Sequence, residues 1–135
     1  MTSTENDNFR IDRIMLSRKI ERLNVSADMK VLLSSVIDTT IEVGGKIVDV
    51  GARVMAFVFD LAKAYPGVAF GVVAALVLSF IIGTIPVIGP LLSPILTPLL
   101  LIVGISLGAL DDLVDGGMRD RLNGLKTNLK TCGVA

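Results

Sequence analysis

Few residues of this chain have the type or spacing that catalysis requires. Gly104-Ile105-Ser106-Leu107-Gly108 matches the outline of a nucleophile elbow, in which a strand-to-helix turn presents a serine to a histidine base. The sequence contains no histidine, so the commonest general base and the commonest neutral metal ligand are both missing. Cys132 is the single cysteine and has no second thiol with which to pair or to complete a metal site. Gly44-Gly45-Lys46 lacks the spacing of a phosphate loop, and the sequon Asn24-Val25-Ser26 is expected to face the cytoplasm. Cys132-Gly133-Val134-Ala135 outlines a prenylation box with a poorly suited glycine. These residues predict no catalytic, cofactor-binding or metal site, no small-molecule substrate and no nucleic-acid partner. An enzyme is not expected.

The character of the chain lies in its apolar elements instead. Its 135 residues suffice for one domain, and 52% of them are hydrophobic against 19% charged. With a mean hydropathy of +0.72, this is a membrane composition. All 13 basic and 13 acidic residues lie outside one block, Ala64 to Leu110. A bilayer crossing takes about 20 apolar residues, so the block has the length of two crossings and a turn. Pro86, Gly89, Pro90, Pro94 and Pro98 place the turn, because each proline removes a backbone donor and crowds the preceding helical turn. The arms are expected at about 66–84 and 91–110, with Pro98 kinking the second. The predicted class is an all-α membrane protein built on a two-pass transmembrane helical hairpin. A short and a long amphipathic helix precede the hairpin, and a short amphipathic helix follows it.

The polar start MTSTENDNFR offers no secretory signal, so the internal block is expected to direct insertion. The turn carries no Lys or Arg, which assigns both termini to the cytoplasm, at the inner membrane if the source is bacterial. Tyr65 is expected at the interface, with Lys63 at the same depth as Asp111 and Asp112 on the neighbouring arm.

Gly67, Gly71, Ala75, Ser79 and Gly83 recur at every fourth position of the first arm, echoed by Gly104 and Gly108 in the second. Such thin faces let helix backbones approach closely in lipid, so they are expected to meet the other arm or a neighbouring subunit.

Before the block, residues 1–8 form a polar tail, and a basic helix is expected over Phe9–Leu23, suited to anionic lipid. Ser26 is a predicted N-cap for one long helix over 26–63. A 3-4 alternation runs through Leu33, Val36, Thr40, Val43, Ile47, Val50, Val54, Phe57 and Leu61, as in sustained helix–helix contact. Gly44 is the expected weak point. On that helix Asp38, Glu42, Lys46, Asp49, Arg53, Asp60 and Lys63 share one narrow arc, with Glu42–Lys46 and Asp49–Arg53 at helical pair spacing. So much apolar circumference implies self-association into a homo-oligomer. Over 111–135, Met118, Leu122, Leu125 and Leu129 mark a short amphipathic helix.

Ser93-Pro94-Ile95-Leu96-Thr97-Pro98, preceded by Pro86 and Pro90, resembles the proline knot at the apex of the oleosin hairpin. The resemblance is confined to this stretch, its leading proline is one position out of register, and these arms are shorter. It implies a lipid-monolayer coat. The residues themselves favour a self-assembling membrane scaffold, with an oligomeric pore, membrane-disrupting effector or holin-like factor as the alternative.

Overall fold

The computed structural model describes residues 13–131 and 133, apart from the side chains of Leu107 and Asp111. The polar tail, the start of the first helix and Cys132 lie outside the described residues. The chain is mostly helical, as the apolar block and the periodic spacing predicted. Helix α1 covers 13–22. It is followed by α2 (Ala27–Ile37), strands β1 (Ile41–Val43) and β2 (Lys46–Val48), then α3 (Val50–Ala64), α4 (Phe70–Thr84), α5 (Gly89–Val103), α6 (Leu107–Leu113) and α7 (Gly116–Thr131).

The long helix expected over 26–63 is replaced by α2, a β-hairpin and α3. Ser26 does cap α2, its Oγ accepting the Met29 amide at 3.2 Å. The helix then stops at Asp38, and Gly44 and Gly45 turn the chain back with φ of 59° and 80°. Positive φ at both central residues is the signature of the two-residue turn that fits strand twist, and glycine adopts it without steric cost. Antiparallel pairing sets Ile41 opposite Val48, Glu42 opposite Ile47 and Val43 opposite Lys46.

The hairpin returns α3 onto the end of α2. The Gly51 amide donates to the Thr39 carbonyl at 2.9 Å, and a Cβ on Gly51 would fall on the Val36 carbonyl oxygen. Only glycine permits this crossing. Arg13 of α1 braces it, reaching Asp38 at 3.3 Å and Asp49 at 3.4 Å.

Helix α4 is the centre of the molecule. Every residue from Gly71 to Leu78 is buried, because α3, α5, α6 and α7 all pack against it. A helix apolar all round must be covered all round, and here the chain covers it itself. Helix α2 packs on both α3 and α5, and α1 joins the core through Leu16 and Ile20.

The two arms are shorter than expected. Helices α4 and α5 have 15 residues each, about 22 Å at 1.5 Å per residue against a hydrocarbon core of about 30 Å. Residues 66–69 form a turn before α4, and Gly104, at φ 73°, ends α5 in the left-handed region. Among the described residues no helix is long and apolar enough to cross a membrane.

Candidate functional site

The hairpin of α4 and α5 carries several of the exposed large apolar side chains among the described residues. It lies within the uncharged block, and its turn is where the prolines placed it, over 85–88 with Pro86 exposed. Gly89 opens α5 and Pro90 follows in the first turn, where amides have no helical acceptor. Pro94 and Pro98 lie inside the helix. Pro90 and Pro94 face outward and Pro98 is half-buried, so the donors they remove come largely from the outer side of α5.

That outer side is apolar. Leu91, Leu101 and Ile102 are exposed, and Val87 precedes them in the turn. Leu101 is 79% exposed and Val87 53%. Ser93 and Thr97, also exposed, are the polar groups between Leu91 and Leu101. The inner side is built differently: Leu92, Leu96 and Leu99 are buried, at the spacing of one helical face.

The thin ladder divides along its length. Gly71 and Ala75 are buried, and a Cβ on Gly71 would lie 2.7 Å from the Met29 Cε and 3.4 Å from the Val103 Cγ1. That end of the ladder serves close packing of α4 against α2 and α5 within the chain. Gly67 falls in the turn before α4 and Gly83 is exposed, each with open space where a Cβ would be. Ser79 is half-buried and shares with Gly83 a cavity of about 220 Å³ between α4, α6 and α7, with Arg119 on its wall. Gly104 is a helix-ending turn, and Gly108 lies exposed in α6, so these two do not continue the face.

The heptad residues are mostly consumed by the chain's own core. Leu33 and Val36 of α2, and Val50, Val54 and Leu61 of α3, are buried, and Phe57 is half-buried. Val43 and Ile47 belong to the β-hairpin, where Ile47 is 74% exposed, and Thr40 precedes it. The narrow polar stripe dissolves for the same reason. Asp38 caps α2, and Glu42 and Lys46 stand on opposite strands and are not a helical pair. Asp49 takes Arg13, while Arg53, Asp60 and Lys63 remain on α3.

Polar contacts join α3 to α7. Arg53 Nη1 donates to Asn128 Oδ1 at 3.3 Å, and the Tyr65 hydroxyl donates to Asp115 Oδ1 at 3.2 Å. The two helices therefore run antiparallel. Met118, Leu122, Leu125 and Leu129 of α7 are all buried, the face that their spacing marked. The cleft that opens between α3 and α7 leaves no mark in the sequence. Its lining joins residues some seventy positions apart, whose meeting depends on the β-hairpin.

No protein-family model matches the chain, and the searches of curated proteins and of solved structures found no match.

Proposed function

We propose that the protein is a non-enzymatic scaffold subunit that assembles with copies of itself on a lipid bilayer, and that α5 is the element that meets the lipid. The observation that carries this reading is the outer face of α5. Among the described residues, four of the nine large apolar side chains that stand exposed lie on this helix and the turn leading into it, within a block devoid of charge. Scattered exposed apolar residues are ordinary, whereas several gathered on one uncharged helix and its leading turn mark a surface that binds something.

Magnitude explains why assembly belongs to the proposal. Sinking four such half-exposed side chains into the interface stabilises by on the order of 4 kcal/mol, a marginal and reversible association for one copy. Several copies held together bind one surface multivalently and make it durable. The exposed basic residues of α1, Arg18, Lys19 and Arg22, suit an anionic leaflet at about 1 kcal/mol each near the surface.

An oligomeric pore is the second reading, favoured by the uncharged, apolar run of α4, whose residues 71–78 are all buried. The uncharged block from Ala64 to Leu110 has the length for two crossings if residues 64–69 and 104–110 join the arms. That state requires α3, α6 and α7 to leave α4. A lipid-monolayer coat needs no crossing and suits the short arms.

Flotation with vesicles separates bound from unbound protein, and release of an enclosed dye is expected of the pore alone. A cysteine placed at Gly89 in a Cys132→Ser background is labelled from the far side of the membrane only if the hairpin crosses.

A further inference from the structure

Large side chains enclose most of α4, yet a cavity of about 220 Å³ remains where it meets α6 and α7. Small residues open it. Ser79 and Gly83, one helical turn apart, share the α4 face that lines the cavity, and a Cβ added to Gly83 would meet nothing within 4 Å. The walls are mainly hydrocarbon, with Leu110 of α6 and Leu122 of α7 opposite Leu76 and Phe80 of α4. Space of this kind forfeits the contacts that close-packed atoms make, and an occupant of matching size recovers them. An apolar cavity of about 150 Å³ takes benzene, so this one admits a ligand of roughly eight heavy atoms.

The polar groups on the wall are few. Thr84 Oγ1 donates to the Phe80 carbonyl at 2.8 Å and is already used. The Arg119 guanidinium makes no ion pair or hydrogen bond among the described residues, and no carboxylate lines the cavity among them. Asp115, one turn before Arg119, is turned to other donors, the Tyr65 hydroxyl and the Met118 amide. Gly83 and Arg119 are both exposed, so the cavity opens to solvent. One cation beside an apolar space fits a molecule with one negative charge and a short hydrocarbon tail. A carboxylate suits it best, because the planar guanidinium meets its two oxygens with two parallel hydrogen bonds.

We propose that the cavity between α4, α6 and α7 binds a short-chain fatty carboxylate of about six carbons, its carboxylate on Arg119 and its tail between Leu76, Phe80, Leu110 and Leu122. None of the lining comes from α5, so the site is separate from the outer face of that helix and does not rest on the scaffold reading. A ligand held there touches α4 together with α6 and α7, and so stabilises the arrangement in which they enclose it.

Saturation-transfer NMR titration of the full chain with hexanoate, paired with thermal melting, tests the site. Saturable binding and a melting midpoint that rises with hexanoate concentration are expected. Arg119→Gln, at an exposed residue, is expected to weaken hexanoate by about tenfold and to leave the ligand-free midpoint unchanged. Ser79→Leu fills the cavity and weakens binding as much, with ligand-free melting checking that the fold is kept. Hexanol has the tail without the charge and acetate the charge without the tail, and each is expected to bind about tenfold more weakly than hexanoate. Acetate binding as tightly as hexanoate would mean an anion on a surface arginine only, and hexanol binding as tightly would mean an apolar gap only. Either result overturns the proposal, as does the absence of saturable binding or an affinity indifferent to both Arg119→Gln and Ser79→Leu.

Discussion

The Tyr65 hydroxyl donates to Asp115 Oδ1 at 3.2 Å, and the same oxygen accepts the Met118 amide at 2.7 Å. One carboxylate thus caps the start of α7 and ties it to the end of α3. Desolvation first, then the hydrogen bond to Asp115 and its negative charge, raise the Tyr65 pKa above the ordinary 10.0, with Arg121 opposing them. The folded state therefore favours the protonated phenol. The stability this contributes is fully present below the unfolded pKa and is lost as pH rises through the higher folded one. The chain has one tyrosine and no tryptophan, so tyrosinate absorbance reports this residue alone. Its titration midpoint is expected above that of a free tyrosine, and Tyr65→Phe is expected to remove the associated alkaline loss of stability. A midpoint at the free value contradicts the contact.

Replacing Asp115 with alanine removes the α7 cap and is expected to cost about 1 kcal/mol in chemical denaturation. Asp115→Asn keeps an oxygen for the Met118 amide and should recover most of that loss. Equal losses for the two variants would mean that the carboxylate acts through charge and not as a cap.

Gly51 allows the closest approach between helices α2 and α3. Gly51→Ala places a methyl group on the Val36 carbonyl and should cost more than the roughly 1–3 kcal/mol typical of overpacking, because backbone has to move. Gly44→Ala and Gly45→Ala act by another route, forcing alanine to positive φ, at about 1–2 kcal/mol each. Denaturation midpoints ranking Gly51→Ala below both turn variants are expected.

Gly83 offers a cleaner probe of self-assembly than the buried part of the ladder. Ala75 is fully buried, so enlarging it disturbs the protomer before it reports on any interface. A side chain on Gly83 enters open space. If the outer end of the ladder joins copies, Gly83→Leu reduces assembly size in mass photometry with the thermal midpoint unchanged. Unchanged assembly size would place the interface elsewhere.

What was legible in the sequence was local. Ser26 announces a cap, the prolines locate the turn between α4 and α5, and Met118, Leu122, Leu125 and Leu129 mark the buried face of α7. The error over 38–49 came from letting helical periodicity run through two adjacent glycines. Gly44-Gly45 flanked by Ile41, Val43 and Val48 carries the pattern of a two-residue hairpin, and that signal outweighs a heptad run broken at Thr40. The overlong arms have a different cause. An uncharged helix is as much the mark of a protein core as of a bilayer, and whether α3, α5, α6 and α7 enclose α4 depends on tertiary packing that composition does not encode. The α3–α7 cleft was illegible for the same reason, since it exists only once the β-hairpin has set the position of α3.

The outer face of α5 is proposed to carry an assembled protein onto lipid. Detergent-free protein is floated with phosphatidylglycerol-containing vesicles, beside a Val87→Lys/Leu101→Lys variant. Both side chains are exposed, so the pair should shift stability by no more than about 0.5 kcal/mol per site. The parent protein is expected to rise with the vesicles as an oligomer and the variant to stay in the aqueous fraction. Parent protein left below as monomer, or a variant that floats equally well, would contradict it.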